Sequence, residues 1–558
     1  MTMSEATSAG FPWLTLLIVW PLVAAAATAL TGVGRGRPAA GAVTGAGRFG
    51  AGAARTVALV GALVEVALLA GAFAAFDTGA AGDHQLSETH SWIPALGASY
   101  AVGVDGVGLL LVALSVGLVP LVILAAWREQ GGDHVRLRRY LATVLLLEAF
   151  MVTVFVARDV FLFYVVFEAM LIPAYFLIGG FGQGPQRRYA AVKFLLFSLA
   201  GGLVMLVGVI ALYLQVPAAD RGPQAFLTDN LTGLALDPTT EKLMFCAFFL
   251  AFAIKAPMFP VHTWLPDVAQ HATPGTSTLL ICVLDKVGTF GMLTLCLPLF
   301  PDASRWAAPF VIVLAVISIL YGAILAIGQS DVLRLIGYTS VSHFGFIILG
   351  IFTFTSLGTA GSSLMMLNHG ISTGALFLIA GFAIARHPRQ SQLIGDYGGL
   401  RRVAPILGGT FLVAGLSAAA LPGLATFVSE IMVFLGSYSR WPAAVLVAVP
   451  AVVLAAVYVL LTYQRMFTGA TTPELAEARD LDGREKTVAG VLVAALLVLG
   501  LVPGPVLDYV RAPGEVAVEQ VGETDPPPAI RSSAADAGAA AQTDAEAGDR
   551  SATEGSSL

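Results

Sequence analysis

Three lysines stand where a cation is hardest to place. Of the 30 Lys and Arg residues, 27 fall in short polar stretches, near the ends of apolar segments or in the C-terminal tail. The other three, Lys193, Lys255 and Lys286, sit inside long apolar runs, and Glu148, Glu168 and Glu430 are set in similar runs. One charged side chain near a bilayer centre costs about 2.5–3.5 kcal/mol on insertion scales. Six would cost roughly 15–20 kcal/mol, against about 5–15 kcal/mol for a domain's whole net stability. Such groups must be paired or hydrated inside the protein, and their default reading is an ion or proton path.

Spacing gives these residues a common level. Glu168 lies nine residues into its apolar segment, Lys286 eleven and His343 ten; at 1.5 Å per residue these are depths of about 14, 16 and 15 Å, near the middle of a core about 30 Å thick. His369 lies seven residues into the next segment. Ionisable groups on different helices at one depth relay charge sideways, whereas a channel straight across would spread them over depth. Lysine suits this work because a neighbouring carboxylate decides whether it keeps its proton. Histidine titrates near neutrality with little tuning.

Structural readings stand beside the functional one. Glu168, Lys255 and Lys286 could form fixed ion pairs, and His343 and His369 could be hydrogen-bonded core histidines. Lys193 is close enough to a segment end to snorkel to the headgroups. Glu65 has no obvious partner in the sequence. Asp285 precedes Lys286, so the two side chains point about 100° apart on a helix. His262 and His271 flank a loop, where helix-end contacts compete with proton uptake.

The elements that must position these groups are membrane helices. The chain is 57% hydrophobic and only 12% charged, with mean hydropathy +0.82; a soluble domain averages about 25% charged. About 20 apolar residues cross a bilayer as a helix. Fourteen segments qualify: 12–32, 56–76, 105–127, 140–157, 159–180, 188–215, 242–261, 275–298, 308–328, 333–354, 362–386, 405–436, 442–467 and 487–510. The fold class is an all-α polytopic membrane protein. Two segments are predicted to be broken: the seventh, where Pro257 and Pro260 follow Lys255, and the twelfth, at Leu421-Pro422-Gly423. Such breaks survive in a membrane only where protein or water satisfies the freed carbonyls. They are also a mark of inverted-repeat transporters, with repeats at about 140–298 and 308–467. The organisation is residues 1–104 with two helices and an outer loop, 105–510 as the main bundle, and 511–558 as a tail.

Placing the N-terminus outside puts 19 Lys and Arg in inner loops and five in outer loops, the bias expected of cytoplasmic loops. Both termini are then outside a cytoplasmic membrane. Residues 1–11 carry no Lys or Arg, so the first segment reads as a retained helix rather than a signal peptide. The tail holds nine Asp/Glu and three Arg, a composition that predicts disorder. Cys246, Cys282 and Cys296 lie apart without C-x-x-C spacing, which argues against disulfide, zinc or iron–sulfur sites. No nucleotide-binding glycine motif is present, and nothing points to nucleic acid.

The run Lys255-Ala-Pro-Met-Phe-Pro-Val-His262-Thr-Trp-Leu-Pro-Asp267 resembles the signature of the antiporter-like membrane subunits of respiratory complex I and of multisubunit cation/proton antiporters. So does Asp331-Val-Leu-Arg-Leu-Ile-Gly-Tyr-Thr-Ser-Val-Ser-His343. Within that family, the run from Phe167-Glu168 through Pro173 to Gly182, and Leu421-Pro-Gly-Leu-Ala-Thr-Phe-Val-Ser-Glu430, resemble the chain M branch of the proton-translocating NADH–quinone oxidoreductase. The resemblance covers nearly all of residues 100–510. It implies that Glu168 and Lys255 form a pair whose separation gates proton movement and that Lys286 is the central lysine. It further implies that His343 and His369 continue the line and that Glu430 closes it. Glu148, Lys193 and His262 are secondary candidates. NADH, FMN, iron–sulfur clusters and quinone would act elsewhere in the complex, with no cofactor or metal in this chain. The implied partners are the antiporter-like chains L and N and membrane lipids. Two departures stand out: Leu333 replaces a family lysine, leaving Arg334, and Asp285 is unusual beside the central lysine. The competing readings are the D-type member of a multisubunit sodium/proton antiporter, a membrane hydrogenase arm and a non-conducting scaffold.

Overall fold

The computed structural model describes residues 10–31, 46–128, 133–217 and 221–527. The chain runs through α1 (Trp13–Leu30), α2 (Ala46–Ala75), α3 (Gly106–Ala125), α4 (His134–Val156), α5 (Val160–Ala169), α6 (Leu171–Phe181) and α7 (Arg187–Gln215). It continues as α8 (Pro238–Lys255), α9 (Trp264–His271), α10 (Pro274–Leu299), α11 (Pro301–Ile327), α12 (Val332–Phe352) and α13 (Ser356–Arg386). The last helices are α14 (Pro405–Ala418), α15 (Ala425–Tyr438), α16 (Pro442–Phe467), α17 (Gly483–Leu501) and α18 (Gly504–Gln520). Among the described residues 11 helices are long and apolar enough to cross a membrane, and up to 12 if the bent pair α17–α18 is one span. Helix α8 ends inside the seventh predicted segment, with α9 following it, and the pair α14–α15 occupies the twelfth, so the arrangement is compatible with fourteen passes.

The helices are not equal in their surroundings. The most enclosed long helices are α10, α12 and α13, and these carry Lys286, His343 and His369. By contrast α1, α2, α7 and α16 expose much of their apolar length, as lipid-facing helices do.

Three features differ from the sequence reading. The 77–104 loop contains an antiparallel hairpin, β1 (Gln85–Ile93) with β2 (Ala98–Val104), an addition to the all-α bundle. The hairpin is tied to α1, since Thr15 donates from its backbone N and its hydroxyl to Glu88 at 3.2 and 2.6 Å. The fifth segment is interrupted at Met170. Pro173 has no N–H to give the Ala169 carbonyl, and the helix loses its ladder one turn before it. Helix α18 carries order ten residues beyond 510. Its Val510, Pro513, Ala517 and Val518 are buried, and Glu523 pairs with Arg440 at 2.7 Å. Residues 511–527 therefore do not belong to a disordered tail; the rest of the tail lies outside the described residues.

Candidate functional site

The two helix breaks are built from side chains that replace lost backbone partners. After Lys255 the chain leaves helical geometry at Ala256 (φ −86°, ψ 58°). The Trp264 indole donates to the Ile254 carbonyl at 2.9 Å, and the Ser318 hydroxyl accepts from Phe259 N at 2.9 Å. At the second break Ala420 and Gly423 take positive φ values of 53° and 89°. Thr426 donates to the Ser417 carbonyl, which also accepts from Ala420 N at 2.9 Å, and Asn368 donates to the Ala425 carbonyl at 2.7 Å. The Ala418 carbonyl, which Pro422 has no N–H to meet, lies 3.1 Å from His343 Nε2. The break thus delivers a backbone acceptor to a candidate relay group.

Lys286 sits between two π-helical stretches, Leu280–Leu284 and Met292–Cys296. A π turn widens the helix and is frequent at functional sites. Lys286 Nζ donates to the Ile281 carbonyl at 2.9 Å, lies 2.6 Å from His369 Nδ1 and stands 4.6 Å from the centre of the Phe344 ring. The His369 and His343 rings follow with centroids 5.1 Å apart, edge to face. His343 Nε2 is 3.8 Å from Glu430 Oε1. Lys286, His369, His343 and Glu430 therefore form one continuous line across α10, α13, α12 and α15, all buried.

Lys255 and Glu168 do not make a direct pair. Lys255 Nζ makes no hydrogen bond to any described residue and is instead held against the Phe167 and Phe194 rings, 4.8 and 5.6 Å from their centres. Aromatic faces attract the ammonium without accepting its proton. Glu168 Oε1 also has no partner among the described residues. Its carboxylate lies so close against Gly202 that an added Cβ would overlap Oε1. The fields reaching Lys255 come from Glu168 and Asp285. Asp285 is fully buried with neither oxygen hydrogen-bonded to a described residue, and its field reaches Lys286 as well. It stands electrostatically between the two lysines. The backbones of α8 and α10 are close there, because a Cβ on Gly288 would lie 2.5 Å from the Phe252 carbonyl oxygen.

The secondary candidates fall outside this line. Lys193 does not reach toward headgroups: its Nζ donates to Asp267 at 2.7 Å and to the Thr263 carbonyl at 2.8 Å. Arg334 donates to the other oxygen of Asp267 at 2.6 Å, so the contact left in question by Leu333 is made by its neighbour. His262 packs beside Phe259 and Tyr321, with ring centres 6.0 and 5.2 Å away. Glu148 faces Glu65 rather than the line. The sequence reading missed Asn368, Thr426 and Gly202. The polar pair Asn368-His369 inside an apolar run, and Gly201-Gly202 inside another, were the signals available.

The family model "NADH:quinone oxidoreductase/Mrp antiporter, TM" matches residues 157–456, more than half of the chain. NADH-quinone oxidoreductase subunit M of Mycobacterium tuberculosis (strain ATCC 25618 / H37Rv) is 46% identical over 550 residues, covering 93% of this chain and 96% of the relative. The Rhodobacter capsulatus subunit M is 38% identical over 508 residues, covering 89% and 94%. A chain of respiratory complex I from Thermus thermophilus with bound NADH superposes with a TM-score of 0.79 at 31% identity, over 91% of this chain and 100% of that one. A chain of the Mrp complex from Dietzia sp. DQ12-45-1b shares the fold, with a TM-score of 0.77 at 21% identity over 91% and 98%. With the motif-bearing helices inside the matched region and the subunit M likeness running along almost its whole length, the chain belongs to the antiporter-like NADH:quinone oxidoreductase/Mrp membrane family, in its NADH-quinone oxidoreductase subunit M branch.

Proposed function

We propose that the proton path of this NADH–quinone oxidoreductase subunit runs along Glu168, Lys255, Asp285, Lys286, His369, His343 and Glu430. The observation that carries the reading is the continuous line from Lys286 to Glu430. Lys286 and His369 lie within proton-transfer distance. His343 Nε2 stands between a helix-break carbonyl and the Glu430 carboxylate. Closing its gap to Glu430 from 3.8 Å to a hydrogen bond of about 2.9 Å takes a side-chain adjustment of about one ångström. In the other half, Lys255 holds its charge by aromatic faces and by the fields of two carboxylates. Protonating or moving Glu168 removes part of what keeps that charge in place. The proton then passes to Lys286 by way of Asp285 or water beside it.

The same reading places both termini outside the bacterial cytoplasmic membrane, with the chain seated between chains L and N and surrounded by lipid. The repeats of five helices centre on the two breaks. NADH, FMN, iron–sulfur clusters and quinone belong to other subunits, on the strength of the family resemblance, and drive this chain indirectly.

The test is proton uptake by vesicles carrying the assembled complex, measured beside NADH oxidation by an artificial acceptor. Lys255→Ala and Glu168→Ala should largely remove pumping while the complex assembles and the acceptor activity stays. Normal pumping in both variants would leave these charges structural and return the non-conducting scaffold.

A further inference from the structure

Glu65 on α2 and Glu148 on α4 are each completely buried. Their carboxyls meet side chain to side chain across the packed pair of helices. None of the four oxygens receives a hydrogen bond from an N–H or O–H of any described residue. Two ionised carboxylates can only accept, so a bond between them exists only when one carries a proton.

Among the described residues the neighbouring elements offer no compensating cation: Lys286 on α10, which also packs against α4, is engaged by the Ile281 carbonyl and His369. Helices α1 and α3, packed on both, contain no ionisable side chain. On α2 itself Arg55 is ten residues from Glu65, about 15 Å along the axis. On α4 the nearest basic residue, Arg139, is nine residues from Glu148, about 13 Å away by the same rise; His134, Arg136 and Arg138 are farther, and Tyr140 lies eight residues off. From α5, Glu168 faces Gly202. From α6, Tyr175 is the one titratable group. The fields that reach Lys255 and Lys286 come from other residues. Two like charges in an apolar site without a counterion cannot both persist.

The geometry points to Glu65 and Glu148 as a proton-binding carboxyl dyad, which holds at least one proton between its side chains and clamps α2 to α4 apart from the Lys286–Glu430 line. The ligand is the proton itself. In the doubly ionised state the clamp becomes a repulsion between the helices.

The test uses the purified, fully assembled complex. The folded dyad binds more protons than the same residues in an unfolded chain, so its contribution to stability falls as pH rises. Thermal denaturation is followed from mildly acidic to alkaline pH for the wild type and for E65Q/E148Q. The double variant keeps an uncharged hydrogen-bonded pair of similar shape. Its melting temperature should overtake that of the wild type as pH rises, and parallel profiles would overturn the dyad. If the double variant does not assemble, Glu65→Gln alone serves, since its amide donates to Glu148 without sharing a proton and its profile should also be flatter. Dicyclohexylcarbodiimide then locates the proton. The acid gives its proton to a carbodiimide nitrogen, its oxygen bonds to the central carbon, and the adduct rearranges to a stable N-acylurea. A labelled peptide carrying Glu65 or Glu148 in the wild type, absent from the double variant, supports the assignment. Loss of pumping in an assembled E65Q/E148Q complex would place the pair in the proton path and overturn the separate clamp.

Discussion

Lys286 Nζ and His369 Nδ1 lie 2.6 Å apart inside the bundle, and the other ring nitrogen of His369 has no hydrogen-bond partner among the described residues. The imidazole is therefore held at one end by the ammonium, with its other end unclaimed. A proton accepted at Nδ1 leaves Nε2–H as the one available to pass on. Positioned acid–base groups contribute roughly 10²–10⁴-fold to proton transfer. Lys286→Ala and His369→Ala should each lower proton pumping by about 10²-fold, and the double variant should fall no further than the worse single one, as residues acting as a unit do. Pumping measured in vesicles with the assembled complex checks this. Additive losses would mean that the two groups serve separate steps.

Gly202 is predicted to position Glu168. A Cβ at residue 202 would overlap Glu168 Oε1, so Gly202→Ala must push the carboxylate away from its seat. Pumping should fall several-fold while assembly is kept. Combining it with Glu168→Asp, which shortens the side chain by one methylene, should restore part of the loss. Unchanged pumping in the single variant would show that the position of the carboxylate is not critical.

The indole of Trp264 covers the Ile254 carbonyl that the first break exposes. Trp264→Phe keeps most of the ring and removes the donor. Leaving a buried carbonyl unsatisfied costs about 1–3 kcal/mol, and the melting temperature of the complex should drop accordingly. An unchanged melting temperature would mean that water takes the place of the indole.

The breaks are legible in the sequence because their cause is local. Pro257, Pro260 and Leu421-Pro422-Gly423 stop a helix whatever surrounds it. The common depth of Lys286, His343 and His369 is also legible, since it needs only a residue count and the helical rise, and the three side chains do meet. What the sequence hides is rotation about the helix axis. Helices apolar all round carry no amphipathic stripe to say which face looks where. For that reason the sequence does not match Glu65 with Glu148 and offers Lys193 the headgroups rather than Asp267. The β1–β2 hairpin reads as a loop because its strands alternate only weakly. The break after Glu168 goes unnoticed in the sequence reading although Pro173 announces it.

Orientation is tested by cysteine labelling. His90 on β1 and Gly395, between α13 and α14, are both exposed, and a Cβ at 395 meets nothing within 4 Å. With 19 basic residues in one set of loops and five in the other, cytoplasmic loops should carry the excess. His90→Cys should react with an impermeant reagent in intact cells, and Gly395→Cys should react only after the membrane is opened. The reverse pattern would invert the chain.

Glu430 is predicted to act by its proton rather than its shape. It follows the second break, is buried, and lies 3.8 Å from His343 Nε2, at the end of the line that starts at Lys286. An acid at this position can take the proton from His343 and give it up toward the outer side, which an amide cannot do. Glu430→Asp keeps the titrating group and loses one methylene, so it should retain substantial pumping at a lower rate. Glu430→Gln keeps the shape and loses the titration, and should lower pumping by roughly 10²-fold, the usual worth of a positioned proton donor or acceptor. Both variants should leave artificial-acceptor NADH oxidation intact, since the proposed function assigns that reaction to other subunits. If Gln sustained pumping as well as Glu in the assembled complex, Glu430 would be a hydrogen-bonding residue of the break, and the line would have to end at His343.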